Sequence, residues 1–366
     1  MKRIGIDARL YYQTGVGVYL RNLISEISRF DNENQYYLYL RPQDKDKLKF
    51  PDNFIIRYTN ASWHSFTEQW QFHWQLMSDN LDLMHFTYFS YPVLYERPYI
   101  ATVHDVTPLL YKTGKASTKN PIIYWIKHNV FSYVLKSQIN NAKHIVTPTN
   151  AVKNQILFIY KNIKKEKITP IYEGINQELL SCKIDAKQQD NPLFQGKFMV
   201  YVGNFYPHKN VENLIKAFSM IESPIKLILI GPHDYFSSKI LNLIKEKKQE
   251  HKIKLFDDAN IKDLVYAYQN ALALIHPSRS EGFGLPIIEA MHFSLPIVAS
   301  NISVFQELIG KQYVSFNPDS INNMAEKINM SIKQEKQNII YKDMNRFSFS
   351  EMAKKTLVIY KKILYS

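Results

Sequence analysis

Short apolar runs alternate along the chain with longer segments in which apolar residues recur every three to four positions. The first run, Arg3-Ile4-Gly5-Ile6-Asp7, has the pattern of a buried strand. The turn-prone Gln13-Thr14-Gly15-Val16-Gly17 follows, and then Val18, Leu20, Leu23, Ile24 and Ile27 at helical spacing. Further strands are predicted at residues 36–40, 54–58, 81–85, 99–103, 145–147 and 168–171, with helices at 66–77, 122–137 and 150–160. Between Gly174 and Lys197 the pattern gives way to polar residues centred on Lys187-Gln188-Gln189-Asp190-Asn191-Pro192, which reads as a linker. A second series then predicts strands at 198–202, 226–230, 253–255, 272–276 and 296–299. Its helices fall at 211–218, 236–250, 261–269, 286–292 and after Pro318, and an amphipathic helix from Phe349 to Leu364 closes the chain. Strands alternating with helices predict parallel, doubly wound sheets. The expected fold is therefore α/β, with two Rossmann-like domains and a cleft between them: residues 1–176, a linker at 177–197, and residues 198–348.

Composition narrows this picture. A chain of 366 residues has room for two cores. Its single cysteine, Cys182, excludes an internal disulfide and a multi-thiolate metal site, which fits a reducing, cytoplasmic compartment. Asp7 and Arg9 interrupt any apolar core that could make the first residues a signal segment, and no stretch approaches the roughly 18 apolar residues of a membrane span. The net charge of +13 divides as +7 over residues 1–180 and +6 over the rest, so it does not describe a localised nucleic-acid arm. Phosphate-bearing ligands and anionic lipid are both open as partners. Glycine is scarce: 11 residues, about 3% against a usual 7%. Each glycine in a loop is then informative.

The strongest local signal is His276-Pro-Ser-Arg-Ser-Glu281-Gly-Phe-Gly284-Leu285-Pro-Ile-Ile-Glu289. A strand ends at His276, a glycine-containing loop follows, and Pro286 stands where a helix would begin. Free N–H groups at such a helix start form an anion site, and Gly282 and Gly284 allow a ligand to approach the backbone. Glu289 is expected in the first turn of that helix, facing the same site. As a hydrolase pair Glu281 and Glu289 fit poorly, because eight helical residues would separate them by about 12 Å. Gly15-Val-Gly17 lies between a strand and a helix, but Leu20 stands where a dinucleotide fingerprint has its third glycine, which disfavours NAD. His104 ends an apolar strand, at the sheet edge where α/β proteins bind ligands.

Glu281-x7-Glu289 with Gly-Phe-Gly-Leu-Pro inside it resembles the signature of retaining glycosyltransferases of the GT-B fold, glycosyltransferase family 4, also called glycosyl transferases group 1. Other segments are similar to that family in the expected order: Ile4 to Asn22 with its glycine loop, Thr102-Val-His104-Asp105, Ile171-Tyr-Glu-Gly-Ile-Asn176, and Tyr201-Val-Gly203-Asn-Phe-Tyr-Pro-His-Lys209-Asn210. The overall pattern looks closest to bacterial mannosyltransferases of polysaccharide or lipopolysaccharide assembly.

The resemblance implies a nucleoside diphosphate sugar as co-substrate, with no metal or other cofactor. It puts Glu281 beside the donor sugar, Glu289 on the ribose, and Gly284 and Leu285 backbone groups on the diphosphate, with Lys209 as point charge. Gly15, Gly17 and Gly203 would line the donor loops, and His104 the reaction centre. Asp105 would orient the histidine or its loop, and the last helix would return to the first domain. One departure stands out: many members carry an arginine just after the strand glycine, where this chain has Asn204, so His208 or Arg279 is a candidate replacement. The implied reaction moves a hexose, first mannose from GDP-mannose, to a hydroxyl of a growing glycan. Acceptor contacts are expected in the first domain, at residues 63–70 and 85–91, and the stretch Lys119 to Lys136 suits either an anionic membrane face or packing on its own sheet. The alternatives are a catalytically silent relative serving as a binding subunit and a basic nucleic-acid-binding protein.

Overall fold

The computed structural model describes residues 1–44, 49–111, 121–333 and 339–365. They form two compact units, one of Met1–Gly174 with Phe347–Ser366 and one of Ile175–Arg346. In the first unit the strands are β1 (Arg3–Asp7), β2 (Gln35–Leu40), β3 (Phe54–Tyr58), β4 (Leu83–Phe86), β5 (Tyr99–Thr102), β6 (His144–Thr147) and β7 (Ile168–Pro170). They make one parallel sheet in the order β3-β2-β1-β4-β5-β6-β7. The second unit has β8 (Phe198–Val202), β9 (Lys226–Ile230), β10 (Ile253–Phe256), β11 (Leu274–His276), β12 (Ile297–Ser300) and β13 (Val314–Phe316). Its parallel order is β10-β9-β8-β11-β12-β13. Strand order reverses beside β1 in one unit and beside β8 in the other, and the carboxyl ends of the strands flanking such a reversal are where open α/β sheets bind ligands.

Each sheet is covered on both faces, which is why its strands read as unbroken apolar runs. In the first unit the helix Val16–Phe30 and the closing helix Phe349–Leu364 share one core with Ile4, Ile6 and Leu38. The helices His73–Ser78, Pro121–Asn141 and Asn150–Ile159 share the other. The last helix thus returns to the first sheet, as the resemblance implies. Ser348 caps it through the Glu351 N–H.

Several boundaries differ from expectation for identifiable reasons. The helix expected to reach Glu250 ends at Glu246, because Lys248 adopts a left-handed φ of 54°. Glu68–Phe72, expected as ordinary helix, is π-helical and carries Glu68 into the interior. Residues 177–197 are no featureless linker: they contain the helices Gln177–Ser181 and Ala186–Gln189, and Gln188 donates to Asp263 across 3.2 Å. Ser303–Ile309 and β13 were outside the expected elements, each being too short for a periodicity to register.

Candidate functional site

In the second unit the loops after β8 and β11 bring the expected residues together at the strand-order reversal. After β8, Gly203 leads through a turn at Pro207–Lys209 to Asn210, which has a left-handed φ of 61° and precedes the helix Val211–Ser219. The Asn210 side-chain amide donates to Pro277 O at 3.1 Å and Pro318 O at 2.8 Å, and Arg279 N–H donates to His208 O at 2.8 Å. These bonds stitch the two loops into one rigid edge.

On that edge the Lys209 ammonium donates to both Glu281 oxygens, at 2.7 and 2.8 Å. Burial alone would push the Glu281 carboxyl up, but Lys209, His276 and its hydrogen bonds hold it down at about 2. His276, fully buried with Nε2 3.4 Å from Glu281, is pushed down to about 4 by burial, an effect Glu281 opposes and Lys209 reinforces. The site therefore holds a fixed carboxylate and a lysine that is already partnered. Arg279 pairs with Asp319 at 2.8 Å. Asn204, in the position of the family arginine, leaves its buried side-chain oxygen without a protein partner among the described residues.

Gly284 caps the helix Leu285–His292 with φ 98°, a conformation that L side chains rarely adopt, and Pro286 occupies the first turn. N–H groups at a helix start have the geometry and dipole to meet an anion. Glu289 lies one turn further along than expected, since the helix begins at Leu285 and its first turn carries no acid. Its carboxylate accepts from the Tyr268 hydroxyl at 2.6 Å, and burial pushes its pKa up. Tyr268 and Asn210 meet Glu289 and Pro277 across gaps in sequence that no local motif spans, whereas His276 stands in the same segment as Glu281.

In the first unit His104 follows β5, Gly15 precedes the helix Val16–Phe30, and Gly17 is its second residue. His104 Nε2 lies 3.0 Å from Thr87 O, an acceptor, so that nitrogen carries a proton. Its Nδ1 lies 3.4 Å from the buried Glu173, and Tyr19 packs edge-on to the ring at 4.8 Å between centroids. Glu173, from the Ile171–Asn176 segment, faces the histidine. Asp105 instead accepts from Thr107 N–H at 2.7 Å and orders the loop.

The expected acceptor residues divide. His85 is buried in β4 between Tyr360 and Thr102, each at 2.7 Å, and burial followed by His104 pushes it down to about 3. Phe86 and Tyr91 belong to the core, whereas Trp70 is exposed. A buried cluster missed in the sequence lies beside them: Arg9 bonds Asp7 and Glu68 at 2.6 and 2.7 Å and stacks 4.2 Å over Phe72. The π-helix places Glu68 for this contact. Lys119 lies outside the described residues.

Comparison with known proteins agrees with this architecture. The family description "Glycosyltransferase Family 4" matches residues 13–179, and "Glycosyl transferases group 1" matches residues 183–348. The chain is 29% identical over 240 residues to the O-antigen chain mannosyltransferase RfbU of Salmonella typhimurium, covering 66% of this chain and 62% of that protein. It is 24% identical over 270 residues to the O-antigen chain mannosyltransferase B of Escherichia coli, covering 72% and 68%. Among solved structures, sucrose-phosphate synthase from Thermosynechococcus elongatus superposes with a TM-score of 0.79 at 17% identity, covering 99% of each chain. Anabaena HepE, solved in complex with UDP, does so with a TM-score of 0.73 at 18% identity, covering 99% of this chain and 100% of that one. With two family descriptions spanning nearly its whole length and both sheets in the matching topology, the chain belongs to the GT-B glycosyltransferases that join a family 4 amino-terminal domain to a group 1 carboxyl-terminal domain.

Proposed function

We propose that this protein is a retaining, metal-independent hexosyltransferase that moves a sugar, mannose from GDP-mannose as the first candidate, from a nucleoside diphosphate to a hydroxyl of a growing bacterial glycan. The observation that carries the proposal is the Lys209–Glu281 pair beside the Gly284–Leu285 helix start, at the reversal of strand order. A diphosphate at the helix start meets free N–H groups, and Lys209 adds the point charge that stabilises it as it leaves. Glu281 accepts from hydroxyls of the transferred sugar, and Glu289, held by Tyr268, accepts from the ribose. His104 has an acceptor at each ring nitrogen, an arrangement suited to positioning. The acceptor proton then passes to a leaving-phosphate oxygen on the face where the hydroxyl attacks. The names of the relatives support mannose and O-antigen or lipopolysaccharide glycans, and the UDP complex of a fold neighbour supports a nucleotide ligand.

The setting we propose is the cytoplasm, at the inner face of the membrane. No helix among the described residues is long and apolar enough to cross a bilayer. Three of the four tryptophans are more than half exposed: Trp70, Trp74 and Trp125 at 60%, 56% and 67%. Phe72 and Leu76 beside the first two, and Val134 and Leu135 on the helix of the third, pack into one core layer. Outward-facing tryptophans with Lys127 and Lys136 suit an anionic lipid surface.

Transfer from GDP-mannose and UDP-sugars to a lipid-linked glycan, with the product anomer read by NMR and a chelator added in parallel, tests the reading. Retained configuration and chelator-insensitive turnover are expected. An inverted product or metal-dependent turnover would contradict it. Asn204 favours one second reading, a nucleotide-binding subunit without turnover, which the same assay separates.

A further inference from the structure

The first unit carries a concentration of positive charge at the sheet edge opposite His104. A cavity of about 590 Å³ opens at the amino-terminal ends of β6 and β7, against the closing helix. Lys143, Lys164, Lys167 and Lys362 line it, and Glu166 is the one carboxylate among the described lining residues. Lys167 is anchored by donating to Asn140 O at 2.6 Å. Among the described residues no carboxylate pairs with Lys143, Lys164 or Lys362, of which the first two lie in loops and the third on the closing helix. The remaining lining includes three isoleucines, Ile163, Ile359 and Ile363, so the lysine rim surrounds a partly apolar floor.

Four ammonium groups around one cavity repel each other unless an anion lies among them. The local potential is registered by His144, which is buried at the start of β6 and bonded to Thr169 at 2.8 Å. Burial pushes it down to about 4, and Lys362, Lys153 and Lys167 add to that displacement. His104 follows the carboxyl end of β5, whereas the cavity sits at the opposite edge of the same sheet, about a strand length of 13 Å away.

We propose that this cavity is a second ligand site, selective for a phosphate group carried on an apolar body. The lysines supply point charges for the phosphate and the isoleucines bury the apolar part. The ligand source is either a phospholipid headgroup or a free phosphate compound, and the site does not depend on the transfer reaction proposed above.

The test uses the full chain and the ring resonances of His144, assigned by loss in His144→Gln. The probes are hexyl phosphate and soluble dihexanoyl phosphatidic acid, with zwitterionic dihexanoyl phosphatidylcholine as the control without net charge. The readout is local to His144, and the lysine substitutions tie it to this cavity. A phosphate seated among the lysines should raise the pH at which His144 titrates by at least about one, saturably. Lys143→Gln with Lys362→Gln, both at exposed positions, should weaken that response at least tenfold while leaving nucleotide binding unchanged. A stronger response to phosphatidic acid assigns the site to a lipid headgroup, and a stronger response to hexyl phosphate assigns it to a free phosphate compound. If neither probe moves the His144 titration, or if the double variant responds as strongly as the parent, the proposal is wrong.

Discussion

The buried Glu281 carboxylate is held in its charged form chiefly by Lys209, which donates to both of its oxygens. Removing one partner of a buried pair costs more than the pair contributes, because the remaining charge is left without compensation. Lys209→Ala is therefore expected to lower stability by on the order of 3 kcal/mol in urea titration, and to raise the pH at which Glu281 titrates. The sign of the acid response follows from the folded values. Glu281 titrates near 2 when folded and near 4.5 when unfolded, so its contribution is complete above 4.5 and is lost as pH falls toward 2. His85 and His276 also have lowered folded values, about 3 and about 4, so below 6.5 the unfolded chain takes up protons that the folded chain refuses. The melting temperature should accordingly fall from pH 6.5 to pH 4.5, above the range in which the Glu281 contribution is lost. A flat profile over that range would mean these histidines are protonated in the fold.

Elements were legible where an apolar run or a helical stripe was long enough to repeat. β1, β8 and β9 lie at their predicted bounds because buried parallel strands need unbroken apolar residues. The three-residue β13 and the short helix Ser303–Ile309 carry too few positions to show a period. The candidate site divides in the same way. Lys209, Glu281 and Gly284 were readable because local motifs hold them, whereas Glu173 beside His104 and Tyr268 beside Glu289 depend on chain folding. The junction of Gly174 with the closing helix belongs to this second kind. A Cβ on Gly174 would lie 2.8 Å from Ser348 C and inside contact distance of Phe349 N, so neither backbone can yield cheaply. Gly174→Ala is expected to cost about 1–3 kcal/mol and to loosen the helix that holds His85 through Tyr360. Faster hydrogen exchange over Phe349–Leu364 would show it, and unchanged exchange would contradict it.

At the scale of the whole molecule, each unit has its own core and its own strand-order reversal, so each can bring a ligand to its own sheet edge. The Lys209–Glu281 pair, the helix start at Leu285 and the Tyr268–Glu289 contact all lie within the second unit. A nucleoside diphosphate that binds there should stabilise the folded chain by linkage, in proportion to its affinity. The direct test is a thermal-shift titration of GDP, UDP and their sugars against the parent protein, Lys209→Ala and Glu289→Ala. One nucleotide should raise the parent's melting temperature saturably, with each variant at least tenfold weaker. Equal stabilisation of parent and variants, or no response to any nucleotide, would contradict the assignment of the donor site to these residues.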